Sequence, residues 1–261
     1  LATAMREAQL AARARHPNTN DWAAFELIGY AGMNEEEKSV FAQRYFLESI
    51  AKGNNAQDLR EFGKAVQHYR AALSMAKQLG DNSSIQKLYL LIQSAATSSN
   101  DFATACEIET LLLAEAQAAD DFKRMAQSYQ KLSIWRLRLR DYRAAEEAER
   151  QHLALAEKSN NALAISGSHF RLAQIFQAAN DHEQARAAAL QAAQILAAQN
   201  QTLPRLQVET FVGKLALEAD DAPQAWADLE AALAAFQSAR GANALSVAEQ
   251  RALATAKQLL G

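Results

Sequence analysis

Apolar residues recur along most of the chain at spacings of three and four positions, which places them on one face of an α-helix. The apolar positions also return every 40 residues. In the first helix of each expected pair, two such columns hold Ile92, Leu132, Leu172 and Val212, and Ala95, Trp135, Ile175 and Leu215. In the second helix, two columns hold Leu73, Leu113, Leu153, Ala193 and Leu233, and Ala76, Ala116, Ala156, Leu196 and Phe236. The pattern predicts an all-α chain of repeated helix pairs.

One column of the repeat keeps the same small residue in every copy. Its members are Ala65, Ala105, Ala145, Ala185 and Ala225. A position that is always alanine marks the close crossing of two helices, where a larger side chain would push the helix axes apart. These five alanines are therefore predicted to be buried.

Asp or Asn marks the expected helix starts about every 20 residues. One series consists of Asp101, Asp141, Asp181 and Asp221, and the series halfway between consists of Asp81, Asp121, Asn161 and, weakly, Gln201. Asp and Asn side chains accept hydrogen bonds from the free N–H groups of a first helical turn, and the charge of Asp suits the helix dipole. The spacing predicts helices of roughly 16–18 residues joined by turns of two or three residues. Pro204 and Pro223 fall in first turns, and Gly80 falls where a left-handed helix end is expected.

The segments that open the second helices share a motif of Asp, often an aromatic residue, two variable residues and Ala. They are residues 101–105, 141–145, 181–185 and 221–225, with a degenerate copy at 61–65. This motif resembles the turn and second helix of a tetratricopeptide repeat (TPR). Gly53 and Gly213 fall at the glycine position of that family's first helix, and Tyr89 and Tyr129 at its early aromatic position.

The resemblance covers about residues 56–240, with a period of 40 residues in place of the family's usual 34. It implies a right-handed α-solenoid of antiparallel helix pairs, a TPR-like superhelix. The implied repeats are about 56–80, 81–120, 121–160, 161–200 and 201–240. The chain departs from the family pattern at Arg140, in place of the turn glycine, at His169 and Glu209, in place of the aromatic, and at His152, which interrupts a column of alanines.

The two ends of the chain lose this register. Residues 1–55 keep helical spacing and are predicted to form an N-terminal cap or a degenerate repeat. The helices expected there lie near 2–14, 20–31 and 35–51. Residues 241–261 are predicted to form a C-terminal capping helix to about Leu260, because Ser246 to Glu249 matches a capping box. It would cover the apolar face of the last repeat or, in a longer parent protein, form half of a further repeat.

Composition narrows the classes of function. The formal net charge of −3 argues against direct nucleic-acid binding, and no apolar run approaches the roughly 18 residues that could span a membrane. The single cysteine, Cys106, cannot form an intramolecular disulfide, so the expected location is cytoplasmic. Leu1 in place of methionine indicates a fragment or a processed form, to which a targeting segment or an effector domain could have been attached.

The sequence carries no signature of catalysis, of a metal site or of cofactor binding. The histidines are His16, His68, His152, His169 and His182. His152 and His169 could approach each other between neighbouring repeats, but a metal site needs three or four converging ligands. Cys106 is interpreted as a structural thiol, and acid pairs such as Asp120-Asp121 as parts of helix caps. The chain is predicted not to be an enzyme.

In the implied solenoid, the first helices of the pairs line the concave side. The positions expected to face a partner there are Lys87, Leu90, Ser94, Gln127, Gln130, Ile134, Leu137, Arg138, Phe170, Gln174, Gln177, Gln207, Thr210 and Lys214. Amide side chains both donate and accept hydrogen bonds and so suit an extended peptide backbone. Its side chains could be held by the apolar residues Leu90, Ile134, Leu137 and Phe170. The alternative is a glutamine-rich face that is simply solvated.

Four arginines near the end of one first helix allow two interpretations. They are Arg136, Arg138, Arg140 and Arg143. They form either a solvated helix end with acidic neighbours that compensates the helix dipole, or a basic spot that anchors an acidic group of a ligand.

These features predict a protein- or peptide-binding scaffold or adaptor that holds its partner in the concave groove. The alternative function is a ligand-responsive regulatory domain of a larger bacterial signalling or transcription-regulating protein. Neither function calls for a membrane or for direct contact with nucleic acid.

Overall fold

The computed structural model describes residues 34–240 and 246–260, and within these ranges the chain forms eleven α-helices and no strand. The helices are α1 (Glu35–Asp58), α2 (Phe62–Leu79), α3 (Asn82–Ser98), α4 (Phe102–Ala118), α5 (Phe122–Arg138), α6 (Tyr142–Lys158), α7 (Ala162–Ala178), α8 (His182–Ala198), α9 (Thr202–Glu218), α10 (Ala222–Arg240) and α11 (Val247–Leu260). The all-α prediction is confirmed for the described residues. The helices expected near 2–14 and 20–31 lie outside them.

The chain divides into two compact units, residues 1–100 and residues 101–261. In the described part of the first unit, α1 packs against α2 and α2 packs against α3. In the second unit, each helix from α4 to α9 packs against the next one, and α11 packs against both α9 and α10. The turns within these stacks are short, so neighbouring helices run antiparallel. Each unit therefore has the antiparallel stacking that the sequence predicts.

Helix α1 is longer than the sequence indicates, since the helix expected near 35–51 continues to Asp58. Gly53 lies inside α1 and does not end it. A Cβ atom at Gly53 would lie 2.5 Å from Cε1 of Tyr69, which is fully buried. The hydroxyl of Tyr69 donates to Oδ1 of Asn54 at 2.9 Å. The absence of a side chain at Gly53 thus lets α1 and α2 approach closely.

The predicted caps are present at seven helix starts. At each one, the Asp or Asn side chain accepts a hydrogen bond from the backbone N–H three residues later: Asp81, Asp101, Asp121, Asp141, Asn161, Asp181 and Asp221. Gln201, the weak member of the series, makes no such bond. Its Nε2 instead contacts the carbonyl of Gln199 at 3.4 Å. A glutamine side chain is one methylene longer than that of asparagine and is not a favoured cap.

The residue before each cap has a left-handed backbone, which the sequence indicated only at Gly80. The residues with φ between 49° and 67° are Arg60, Gly80, Asn100, Asp120, Arg140, Asn160, Asn180, Asn200 and Asp220. After this residue, the N–H of the cap returns to a carbonyl of the preceding helix, as Asp121 does to Ala116 at 2.9 Å. In the pair Asp120-Asp121, one residue therefore closes a helix and the other opens the next.

Burial follows the predicted columns. The five alanines of the invariant column are all 0% exposed. Ile92, Leu132, Leu172 and Val212 are buried as well. Trp135, Leu153 and Leu233 are only half-buried, so the apolar faces are continuous but not uniformly covered.

The C-terminal helix α11 forms as predicted and packs on the last helix pair. Glu249 accepts a hydrogen bond from the N–H of Ser246 at 2.8 Å, and the N–H of Glu249 donates to Oγ of Ser246 at 3.3 Å. Ala252 and Leu253 pack against the buried cluster that contains Leu206 and Phe236. The capping box therefore directs an apolar face onto α9 and α10.

We expect Gly213→Ala to lower the free energy of unfolding by about 1–3 kcal/mol, because the new Cβ would lie 2.6 Å from Cγ of the buried Leu229. The matched control is Gly167→Ala on α7, where a Cβ would meet no atom within 4 Å. That change should raise stability by about 0.5–1 kcal/mol, since alanine is the better helix former. Urea denaturation followed by circular dichroism measures both; equal effects would contradict the close approach at Gly213.

We expect Arg140→Gly to raise the free energy of unfolding by about 1 kcal/mol, because arginine at φ 60° carries a steric cost that glycine avoids. The reciprocal change, Gly80→Ala at φ 67°, should lower the free energy of unfolding by a similar amount. No neighbouring atom lies within 4 Å of the added Cβ, so this loss comes from the backbone conformation alone. Thermal and urea denaturation of the two variants should give shifts of opposite sign. Shifts of the same sign would refute the left-handed turns.

Candidate functional site

The second unit contains an open cleft of about 450 Å³ between α5, α6 and α7. Its lining residues are Phe122, Lys123, Ala126, Gln127 and Gln130 from α5, His152, Leu155, Ala156 and Ser159 along α6 and its end, and Asn161 and Ala164 at the start of α7. Phe122 is 58% exposed, an unusually open position for a large aromatic residue. The cleft thus offers apolar contact area together with amide side chains.

The wall formed by α5 follows from helical spacing. Phe122, Ala126 and Gln130 are four residues apart, and Gln127 is three residues before Gln130, so these side chains share one face of the helix. The cap at Asp121 starts α5 at Phe122. Among the lining residues, all of which lie in the described part of the chain, only Lys123 carries a formal charge.

The floor of the cleft lies over a buried polar network. Nδ1 of His152 lies 2.7 Å from Oγ of Ser168 and 3.2 Å from Oε1 of Glu149. Glu149 and Ser168 are 0% exposed and His152 is 9% exposed. Nε of Arg171 lies 2.9 Å from Oε2 of Glu149. These two atoms are not aligned for a hydrogen bond, so they interact as an ion pair that balances the buried carboxylate.

The preceding repeat holds a simpler pair at the equivalent positions. There, Nζ of Lys131 donates to Oε2 of Glu109 at 3.1 Å, and Glu109 is 1% exposed. In the following repeat, the positions equivalent to Glu149, His152, Ser168 and Arg171 hold Ala189, Ala192, Val208 and Phe211. Those four residues belong to an apolar cluster or pack against it. The polar network is therefore a feature of the α6–α7 contact and is not general to the repeat.

Neither buried carboxylate, that of Glu109 or that of Glu149, was predicted from the sequence. Glutamate is common on exposed helix faces, so Glu109 and Glu149 did not stand out. Two signals mark them: each occupies a column that holds Ala189 and Leu229 elsewhere, and each has a Lys or Arg 22 residues later.

Several solved structures of known proteins share this architecture. A putative kinesin light chain from Podosopora anserina, with nearly identical TPR-like repeats, matches with a TM-score of 0.55 at 15% identity over 77% of this chain and 98% of that chain. BtubC from P. vanneervenii matches with a TM-score of 0.50 at 15% identity over 78% and 94%. A signal-transduction ATPase with a tetratricopeptide repeat sensor from Pyrococcus horikoshii matches with a TM-score of 0.51 at 13% identity, over 92% of this chain and 38% of that chain.

The chain folds as a tetratricopeptide-repeat protein. At 13–15% identity, these likenesses show the TPR fold alone. No family model matches the sequence, and no curated protein matches it. These likenesses therefore do not indicate which residues of this chain face a partner.

None of the residues expected to face a partner is buried in the TPR fold. In the first unit, Lys87, Leu90 and Ser94 are exposed on α3. In the second unit, Gln127 and Gln130 line the cleft. The remaining α5 positions lie further along the helix: Ile134 and Leu137 are half-buried and Arg138 is exposed.

Three of the expected residues on α7 and α9 contact other side chains of α9. Phe170 packs edge to face on Phe211 with ring centres 5.2 Å apart. Nε2 of Gln177 donates to Oε2 of Glu218 at 2.7 Å, and Nζ of Lys214 lies 3.3 Å from Oε1 of the same carboxylate. Phe170 and Gln177 thus link α7 to α9, whereas Lys214 forms an ion pair within α9.

The other three expected positions on these helices differ in exposure. Gln174 is half-buried and Gln207 is exposed. The hydroxyl of Thr210 donates to the carbonyl of Leu206 at 2.7 Å, within its own helix. Gln174 and Gln207 make no side-chain hydrogen bond to any described residue and so are the open amides of this face.

Two of the four arginines, Arg136 and Arg143, lie among acidic side chains. An open depression of about 590 Å³ is lined by Arg136, Asp141, Arg143, Ala144, Glu146, Glu147 and Arg150. Nη1 of Arg136 donates to the carbonyl of Ala144 at 3.2 Å, and Nη2 of Arg150 donates to Oε1 of Glu146 at 2.6 Å. The mixed charges favour the solvated helix end over a basic anchor.

Burial shifts the pKa values of two further side chains, Cys106 and His169. Burial raises the pKa of the Cys106 thiol, against a smaller opposite effect of Arg136. Burial also lowers the pKa of His169, against a weaker effect of Glu157. Among the described residues, no three His, Cys, Asp or Glu side chains are grouped so that they could hold a metal ion. In the same part of the chain, every helix is too short or too polar to cross a membrane.

We expect Glu149→Gln to lower the free energy of unfolding by about 3 kcal/mol, because it leaves the charge of Arg171 without its buried partner. The value lies at the low end of the usual range since the Arg171 side chain is 22% exposed. The matched control is Glu147→Gln, an exposed position on the same helix, which should change stability by less than about 0.5 kcal/mol. Urea denaturation compares the two, and equal small effects would contradict the buried pair.

Proposed function

We propose that this TPR chain is a protein- or peptide-binding scaffold and that the cleft between α5, α6 and α7 holds an extended segment of its partner. The observation that supports this best is the composition of the cleft: apolar side chains and two amides around about 450 Å³ of open space. That volume lies within the roughly 300–1,000 Å³ of typical ligand pockets. It can take one or two side chains of a peptide.

The chemistry of the lining suits a peptide backbone. Gln127 and Gln130 each offer a donor and an acceptor, so they can pair with the N–H and C=O groups of an extended chain. Phe122, with 58% of its surface exposed, and Leu155 supply apolar area for one side chain of the partner. We therefore expect a segment with an apolar residue flanked by accessible backbone.

Within the second unit, the proposed surface extends to Gln174 and Gln207 on α7 and α9. In the first unit, Lys87, Leu90 and Ser94 on α3 are proposed separately as residues that face a partner. Phe170, Gln177 and Lys214 are less suited to test binding, because replacing them would also change stability. Phe170 and Gln177 contact the neighbouring helix α9, and Lys214 pairs with Glu218 within α9. Part of the same proposal is a cytoplasmic location, which rests on the single cysteine.

The alternative function is a regulatory sensor within a larger signalling protein. The Pyrococcus horikoshii ATPase is described as having a tetratricopeptide repeat sensor, and this chain matches 38% of its length. A DNA-binding or catalytic domain adjoining this chain in the full-length sequence would favour the sensor. A cleft that binds peptides serves either function, since a sensor also needs a ligand site.

We expect the double variant Gln127→Ala/Gln130→Ala to weaken peptide binding at least about tenfold, since two hydrogen bonds of about 1 kcal/mol each are lost. The ligands are peptides selected by the full chain from a randomised library displayed on phage. Fluorescence anisotropy of the labelled peptides measures the affinities. Neither side chain makes a hydrogen bond to the rest of the described chain, so the helix content and the melting temperature should be unchanged.

The matched control is Gln191→Ala/Gln194→Ala, which removes two exposed glutamines with the same spacing from α8, the second helix of its pair. It should leave the affinity unchanged. Equal affinities of the cleft variant and the control variant would place the peptides elsewhere and overturn the cleft as the site. A chain that selects no peptide would overturn the binding function.

A further inference from the structure

His152 has one ring nitrogen that the protein does not use. Nδ1 contacts both Ser168 and Glu149, whereas Nε2 makes no hydrogen bond to any described residue. His152 lines the cleft. Nε2 is not among the fully buried unpaired atoms of the described residues, so it can be reached from the cleft and can pair with a bound group.

The partners of Nδ1 indicate which nitrogen carries the proton. The carboxylate of Glu149, whose charge is balanced by Arg171, can only accept a hydrogen bond. We assign the proton of the neutral ring to Nδ1, since an unprotonated Nδ1 would place its lone pair against Oε1 of Glu149 at 3.2 Å. In the neutral ring, Nε2 carries the lone pair and is an acceptor.

The repeats show that this histidine is not needed for packing. The equivalent position holds Leu112 in α4 and Ala192 in α8, and both are buried. An alanine or a leucine thus fills the same place between helices. At position 152, the chain instead has a polar side chain that reaches the cleft, with two buried groups to hold its ring.

We propose that His152 is a specificity-determining residue of the cleft, whose Nε2 accepts a hydrogen bond from a donor group of the bound peptide. The donor is a backbone N–H, a side-chain amide or a hydroxyl. Glu149 and Ser168 are positioning residues, which act through Nδ1 and do not touch the peptide. This inference rests on the peptide-binding function proposed above.

The first experiment tests the protonation of the ring in the full chain without any ligand. Nitrogen-15 NMR of the histidine side chains, with the signals of His152 assigned by their loss in His152→Leu, should show a protonated Nδ1 and an unprotonated Nε2 at neutral pH. Addition of a selected peptide should shift the Nε2 signal. A protonated Nε2 in the free chain, or a signal that peptide leaves unmoved, would overturn the proposal.

The second experiment is a double-mutant cycle between His152 and the peptide. In a selected peptide, each backbone N–H is replaced in turn by N-methyl, and each amide or hydroxyl by an apolar group of similar shape. We expect one replacement that costs about fivefold in affinity for the native chain and nothing further for His152→Leu. Replacements whose costs are the same in both chains would show that no donor is coupled to His152.

Ser168→Ala gives a variant that leaves the cleft lining unchanged, since Ser168 is fully buried and does not line it. It also serves if His152→Leu fails to fold. We expect it to move the Nδ1 and Nε2 signals and to weaken the same donor-dependent peptides. A loss that is equal for peptides with and without the donor would contradict positioning through Nδ1.

The two proposals fail in different ways. If Gln127→Ala/Gln130→Ala loses peptide binding while His152→Leu keeps it unchanged, the cleft stands and the role of His152 falls. If neither variant weakens binding, the peptides lie elsewhere and both proposals fall.

Discussion

The close crossing of successive helices at small residues is the contact on which the rest of the structure depends. The alanines of the invariant column are fully buried in both units, and at Gly213 even a methyl group would overlap Leu229. These crossings fix how near neighbouring helices can come. Because the backbone spacing is set there, it does not depend on the exposed residues of the cleft, such as Phe122 and Gln127. The lining is free to carry the chemistry of recognition.

The same backbone spacing accommodates two kinds of interior. Glu149, His152, Ser168 and Arg171 form a polar network between α6 and α7, while the equivalent positions one repeat later hold two alanines, a valine and a phenylalanine. Apolar packing gains from every methylene that leaves water, whereas a buried ion pair gains only what remains after desolvation of both charges. The polar α6–α7 contact thus contributes less to the free energy of unfolding than the apolar contact one repeat later, although the fold accommodates both.

Much of the fold could be predicted because its determinants are local and repeated. Asp141 caps a helix, and Ala145 fits a helix crossing, whatever lies elsewhere in the chain. The end of α1 was placed near residue 51 in place of Asp58, because residues 1–55 lie outside the register that marks the other helix ends. The left-handed conformation of Arg140 was missed because arginine, unlike glycine or asparagine, does not favour it. A signal that could have been used is the asparagine at four of these positions: Asn100, Asn160, Asn180 and Asn200.

For the candidate site, position within the repeat predicted which helix faces are open, and that sufficed for Gln127 and Gln130. It did not suffice for Phe170 or Gln177, whose neighbours Phe211 and Glu218 occur in one repeat only. The same limit explains why His152 was noticed only as an interruption of an alanine column. Alanine satisfies packing at the equivalent position of the next repeat, where Val208 and Phe211 replace the polar partners, so the histidine is not a general requirement of the fold. In its own repeat, Nδ1 contacts a buried carboxylate, while the second ring nitrogen lies at the cleft with no partner within the described chain.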